Sequence, residues 1–299
     1  MDTEEFIDLA FYRPLGYIWA VLCSKIGITP NFITIASIFL GVSGGVLLYF
    51  HNELLWLNYI GIFLIIWANT FDSADGQLAR ITRQYSKLGR ILDGLSGDFW
   101  FIAIYVALCM RINATDSVFA AQPWMIWIIA AFAGICHVKQ ASTADYYRQF
   151  HLFFVKGESG SELDSCRALD VRLAALSWRN DFWQKSMLFV YRGYTAGQER
   201  FTPFMQLFRM EMSERFSGDI PQRLRDDFRA GSRPMMKYAN MLTFNTRTIV
   251  LFVAVIIQMP WLYFAFEITV LNILLIYLNR RHENLCDRFF TLLCDEKYN

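Results

Sequence analysis

Charge is scarce in this sequence. Only 18% of its 299 residues are Asp, Glu, Lys or Arg, against 55% hydrophobic and 17% aromatic residues. A soluble domain of this length does not usually bury so much apolar surface, so a lipid-facing exterior is its natural sink. The 28 basic and 27 acidic residues nearly cancel to +1, which removes any overall pull toward nucleic acid. The cysteines Cys23, Cys109, Cys136, Cys166, Cys286 and Cys294 lack any C-x2-C spacing. Several lie inside apolar runs and read as small buried hydrophobes rather than disulfide or zinc sites. No internal repeat and no low-complexity tract is present. The opening Met-Asp-Thr-Glu-Glu is acidic where a secretory signal begins with positive charge, which predicts a cytoplasmic amino terminus.

What is present is a series of apolar segments close to the roughly 20 residues that a helix needs to cross hydrocarbon. Six are expected, near 32–50, 54–71, 95–112, 123–141, 242–259 and 260–279. Lys and Arg concentrate in cytoplasmic loops, and six spans with a cytoplasmic start satisfy that rule. Arg13, Lys25, Arg80, Arg83, Lys87, Arg90, the stretch 142–240, Arg280 and Arg281 all fall inside, leaving Arg111 at the outer face. Residues 5–27 read as a helix lying in the interface plane. The stretch 150–235 reads as a cytoplasmic insertion of short helices, broken near Gly157–Gly160, Gly218–Pro221 and Gly231–Pro234. The expected fold is therefore an all-α polytopic membrane protein in three parts. Residues 1–149 hold the interfacial helix and four spans, 150–235 the insertion, and 236–299 the last two spans and a tail.

The chemistry concentrates between the second and third spans. There the chain reads Phe71-Asp-Ser-Ala-Asp-Gly-Gln-Leu-Ala-Arg80, then eight residues, then Gly89-Arg-Ile-Leu-Asp-Gly-Leu-Ser-Gly-Asp98. Ionisable groups at membrane depth are costly unless they serve one another, a metal or a watery cavity. Asp72 and Asp75 are three residues apart and share one helical face with Gly76 and Ala79. A helix starting near Gly89 carries Asp93 in its first turns, so an antiparallel hairpin brings a third carboxylate opposite the first two. Converging carboxylates repel, and the usual compensation is a hard divalent cation with oxygen ligands, Mg²⁺ or Mn²⁺. Gly76 and Ala79 leave room for a flat group, and Arg80, Arg83 and Lys87 supply charge suited to phosphates. The bland reading is a solvated loop in which these acids pair with nearby Arg and Lys.

The segment resembles the signature of the CDP-alcohol phosphotransferase family, Asp-x2-Asp-Gly-x2-Ala-Arg-x8-Gly-x3-Asp-x3-Asp. Seven of its eight fixed positions match without a gap, at Asp72, Asp75, Gly76, Ala79, Arg80, Gly89 and Asp93. Thr29-Pro30-Asn31, followed by Thr34, is similar to the family's entry into its first span. The resemblance implies two Mg²⁺ or Mn²⁺ ions held by Asp72, Asp75, Asp93 and a fourth aspartate. It also implies a cytidine bordered by Gly76 and Ala79 with Asn31 beside it, and Arg80 on the nucleotide phosphates. One carboxylate would take the proton of an attacking alcohol while CMP leaves. The fourth aspartate, the family's usual general base, is Gly97 here, and Asp98 follows one residue later. A π-bulge near Gly94–Gly97 would return Asp98 to the site, so Asp98 and Asp93 are the expected catalytic carboxylates. A three-carboxylate site is the competing reading.

The acceptor is expected to meet Lys139, Arg148 and Arg247, each of which reads equally as a membrane anchor. His137 reads as structural, and Glu267 lies within the sixth span. The expected activity is transfer of a phosphatidyl group from CDP-diacylglycerol to a small polar alcohol, with inositol phosphate or glycerol phosphate favoured, on the cytoplasmic face of a membrane such as a bacterial inner membrane. Three alternatives stand beside it: transfer of a CDP-linked head group to diacylglycerol, a non-catalytic relative that binds CDP-lipid, and a transporter. A transporter would more often show repeated halves and acids at the bilayer midplane. The family resemblance also allows a homodimer.

Overall fold

The computed structural model describes residues 2–157, 163–216 and 220–298, the side chains of Lys87, Leu88, Arg90 and Ile91 excepted. The described residues form helices and no strand. A π-helical turn at Asp8–Tyr12 leads into α1 (Arg13–Lys25), α2 (Pro30–Leu47), α3 (Trp56–Thr82), α4 (Lys87–Thr115), α5 (Ser117–Ala121) and α6 (Trp124–Lys156). Then follow α7 (Cys166–Ala175), α8 (Phe182–Phe201), α9 (Pro203–Phe216), α10 (Gln222–Met241), α11 (Phe244–Ile256), α12 (Trp261–Ile268) and α13 (Val270–Cys294).

Among the described residues, five stretches are long and apolar enough to cross a bilayer: Pro30–Leu47, Leu92–Thr115, Trp124–Lys156, Gln222–Ile256 and Trp261–Cys294. The expected span at 54–71 corresponds to α3, whose 27 residues give it the length. Its apolar run is interrupted by Asn58, Asn69, Asp72 and Asp75, so it falls short on hydropathy. Asn58 is nonetheless satisfied internally, donating to the carbonyls of Leu47 and Phe50 at 3.0 Å each. Arg111, expected at the outer face, is buried. Its guanidinium reaches the Leu48 carbonyl and Asn58 at 2.9 Å each and Gln258 at 2.6 Å. It thereby satisfies a carbonyl just past the end of α2 that hydrocarbon cannot.

The chain divides into two compact units. The first comprises Glu4–Ile135 with Arg247–Ile268; the second comprises Met1–Thr3, Cys136–Thr246 and Thr269–Asn299. In the first unit α2 packs on α3 and α4 through small residues. A Cβ on Gly44 would stand 2.7 Å from the Gly61 carbonyl, and one on Gly61 equally close to the Gly44 carbonyl. The two backbones are thus in contact, a geometry open only to glycine and typical of helix pairs in lipid. The interfacial segment 5–27 becomes the π-turn and α1, which carries Tyr17, Ile18 and Leu22 outward while Ala20 and Cys23 pack on Ala74 and Leu78.

In the second unit, Phe150 and Phe154 of α6, Phe208 of α9, Phe228 of α10 and Phe289 of α13 form one ring-lined core, with Phe154 and Phe228 stacked at 4.1 Å. The break expected at Gly231–Pro234 is absent, since α10 runs through both residues. Gly231 is there for close approach: a Cβ would lie 2.7 Å from the Leu285 side chain. Buried Leu224, Phe228, Met235, Met236 and Ala239 on one face hold α10 together across Pro234. Of the other expected breaks, residues 158–160 and 218–219 lie outside the described residues. All six thiols are free; Cys23, Cys109, Cys136 and Cys286 are buried, Cys166 is half-buried and Cys294 is exposed.

Candidate active site

Two helix starts and one helix end converge in the first unit. Thr29 caps α2, its side chain accepting from the Phe32 amide, and Pro30 occupies the first turn, where its missing N–H costs nothing. Ser86 caps α4 in the same way, accepting from the Gly89 amide at 2.8 Å, and its hydroxyl donates to Asn31 Oδ1 at 2.8 Å. The clamp between the two helix starts is therefore Asn31–Ser86–Gly89. A Cβ on Gly89 would fall 2.4 Å from Asn31 Oδ1, which is why glycine stands there. Opposite them, α3 ends at Arg83 in a left-handed conformation, φ 55°.

The space between these elements is a cavity of about 280 Å³, lined among others by Asn31, Thr34, Asp75, Gly76, Ala79, Arg80, Gly89 and Asp93. Helix N-termini carry partial positive charge and free amides. Here two of them border the cavity beside the Arg80 guanidinium, an arrangement that favours phosphate groups. Asp72, Asp75 and Asp93 approach with one carboxylate oxygen from each, all within 4.8 Å of one another. Thr34 donates its hydroxyl to Asp75 Oδ2. The Ser96 hydroxyl lies 2.6 Å from Asp72 Oδ1 and 2.9 Å from the Asp93 carbonyl. Three carboxylates this close, with no cation among their hydrogen-bond partners in the described residues, form an all-oxygen donor set that could hold a divalent metal ion.

Not every expected residue reaches this place. Arg83 does not line the cavity, and the side chain of Lys87 lies outside the described residues. The π-bulge near Gly94–Gly97 is absent, because α4 is α-helical from Lys87 to Thr115. Without it Asp98 stands about 140° around the axis from Asp93. Asp98 is exposed and outside the carboxylate group. Arg247 is buried in an ion pair with Glu267, which also accepts from Tyr263 at 2.9 Å and from Tyr105. In the second unit Lys139 donates to the Gly197 carbonyl at 2.9 Å and lies over the Phe201 ring, and Arg148 is half-buried. Sequence reasoning missed Ser96 and the pairing of Thr34 with Asp75. The signal for Ser96 was its place one turn after Asp93.

A second group of possible ligands, His282, Glu283 and Cys286, is fully buried in α13. Its members already have packing roles. Glu283 accepts from the Phe204 amide at the start of α9, Cys286 lies 3.5 Å from His282 Nδ1, and His282 stacks on Tyr147.

Gly76 offers a direct test of the cavity. A Cβ there meets only Arg80, at 3.8 Å, so the added methyl enters the cavity rather than the protein. Gly76→Ala is expected to stabilise α3 by about 1 kcal/mol through helix propensity. It is also expected to lower kcat/KM for a CDP-lipid at least tenfold, of the order that a misplaced methyl group costs in a fitted pocket. Thermal unfolding and CMP release on one preparation measure both signs.

Residues 27–148 match the family model described as CDP-alcohol phosphatidyltransferase. The matched segment, less than half of the chain, contains the whole cavity and all three clustered carboxylates. No curated protein and no solved structure matches. The family transfers a substituted phosphate group from a CDP-alcohol to an acceptor, and the chain is an integral membrane protein by its apolar helices.

Proposed function

We propose that the protein transfers a phosphatidyl group from CDP-diacylglycerol to a small polar alcohol and releases CMP. The observation that carries this reading is the group of Asp72, Asp75 and Asp93 at the edge of a cavity bordered by two helix N-termini and Arg80. Asp72, Asp75 and Asp93 would hold Mg²⁺ or Mn²⁺, in two ions by the family's pattern. Bound there, such ions would supply neutralisation of the donor diphosphate and of departing CMP. Arg80 and the two helix starts bind the phosphates, and Gly76 and Ala79 leave the cytidine room against α3, with Asn31 beside it. The acceptor oxygen attacks the phosphorus that bears diacylglycerol. The bond from that phosphorus to the CMP oxygen breaks, and its electron pair leaves with CMP. The hydroxyl proton passes to a carboxylate.

For that carboxylate we propose Asp93, which faces the cavity, ahead of Asp98, which the unbulged helix turns aside. Asp98→Asn is then expected to keep turnover within about threefold, small beside the ~10²–10⁴-fold worth of a general base. A collapse in that variant would assign the base to Asp98. Gly97 sits one turn after Asp93 with open space around it, so a side chain there fits. Gly97→Asp restores a fourth carboxylate on the cavity face and is expected to raise the rate of CMP release.

Lys139 and Arg148 enter as the acceptor's proposed partners, and a phosphorylated acceptor such as inositol phosphate or glycerol phosphate suits their charge; Arg247, expected beside them, is instead buried against Glu267. Neutral substitution of Lys139 or Arg148 is expected to raise the acceptor KM and leave the CDP-lipid KM unchanged. The test of the whole reading is CMP release from CDP-diacylglycerol with a panel of alcohols. Release with one acceptor names the substrate. Release with none, but with a CDP-linked head group and diacylglycerol, replaces this reading with the reverse transfer; binding without release makes the protein a non-catalytic relative.

A further inference from the structure

The second unit contains a cavity of about 320 Å³ that the proposed reaction does not use, formed by α10, α13 and the residues after α13. Its construction starts with Gly231, whose missing side chain lets α10 close on Leu285 of α13 at one end. Arg223 and Asp227 from α10 and Arg288 from α13 line it. The chain then turns back at Glu296, in a left-handed conformation with φ 56°, and the Lys297 amide bonds to the Leu292 carbonyl at 3.2 Å. Tyr298 completes the closure, its ring stacked on Phe289 and its hydroxyl donating to Asp227 Oδ2 at 2.9 Å. The turn places Lys297 as the third cation of the lining.

Three features make this more than a patch of solvated charge. Among the described residues Arg223, Arg288 and Lys297 form no ion pair, although they share one cavity. The single acid of the lining, Asp227, is satisfied by a phenol and not by a guanidinium. Burial, with the Asp227 hydrogen bond next, pushes the Tyr298 hydroxyl up to about 12, so it stays a neutral donor at physiological pH. Three cations less one carboxylate leave +2 in the lining. A phosphate monoester carries about −1.5 to −2 at neutral pH and offers acceptors to two guanidiniums at once. Leu285, Phe289 and Leu292 add an apolar wall for the remainder of such a ligand.

We propose that this cavity is a binding site for a phosphate monoester, held by Arg223, Arg288 and Lys297 beside the Tyr298–Asp227 pair. A soluble phosphomonoester and a lipid with a terminal phosphate share this chemistry, and two probes separate them. Full-length protein in detergent is titrated with inorganic phosphate by calorimetry. The same protein, labelled, is titrated with vesicles of phosphatidylcholine with and without phosphatidate. The comparison is the double variant Arg223→Gln, Arg288→Gln, whose changes are at exposed positions and outside the machinery for CMP release. Phosphate is also proposed to bind near Arg80, so the quantity read is the binding that the variant loses.

The expected result is a saturable phosphate or phosphatidate affinity that falls at least tenfold in the variant, with CMP release unchanged. Loss confined to the phosphate arm names a soluble ligand, and loss confined to the phosphatidate arm names a lipid. Equal affinity of wild type and variant for both probes, or no saturable binding of either, overturns the proposal. Neither outcome depends on the transfer reaction.

Discussion

Asp93→Asn is expected to fold and to release CMP at least 10²-fold more slowly than wild type, the lower end of what removal of a general base costs. The reason is double. Asp93 supplies one of three carboxylate oxygens within 4.8 Å, so its loss weakens the hold on a divalent cation. It is also the proposed acceptor of the hydroxyl proton, a task an amide cannot perform. Asp72→Asn and Asp75→Asn should lose activity as well, but raising Mn²⁺ should rescue them further, because they are proposed as ligands alone. The measurement is the Mn²⁺ dependence of CMP release for the three variants. Equal rescue of all three would take the proton-accepting role from Asp93.

Glu267→Ala is expected to destabilise the protein by about 3–5 kcal/mol, the usual cost of stripping one partner from a buried ion pair. Arg247 is buried, and its guanidinium is held by Glu267, which also accepts from Tyr263 and Tyr105. Removing the carboxylate takes away the Arg247 ion pair and one hydrogen bond from each of Tyr263 and Tyr105. Replacing Arg247 and Glu267 together by Met should recover much of the loss, since apolar substitutes of similar volume are often nearly neutral. Equilibrium unfolding in detergent micelles checks both. A single variant as stable as wild type would show that the pair does not hold α11 and α12 together.

The carboxylate site was legible because its residues are close in sequence and their spacing is itself the geometry. Asp72 and Asp75 share a helical face by their separation alone, and a short connection between α3 and α4 returns Asp93 to them. What was not legible depends on contacts between distant segments. Thr34 bonds Asp75 across 41 positions, and Ser86 meets Asn31 across 55. Arg111 reads from the sequence as a cation at the outer face because its partners, Leu48, Asn58 and Gln258, are remote in the chain. Gly231 and Pro234 were read as a helix break, yet glycine also marks close packing, and the buried face of α10 outweighs the local cost. The expected π-bulge failed for a related reason. Restoring a family position was a functional argument for distorting α4, but Gly94 and Gly97 have open surroundings and nothing in the packing forces the helix to deform.

The central claim is that Asp72, Asp75 and Asp93 hold divalent metal for a transfer that releases CMP. It is tested most directly by following CMP release from CDP-diacylglycerol by the purified wild-type protein, with the acceptor panel present, first in EDTA and then as Mn²⁺ or Mg²⁺ is returned. The account predicts no CMP in EDTA, with release restored by either ion and saturating as the ion is raised. Undiminished release in EDTA would contradict it.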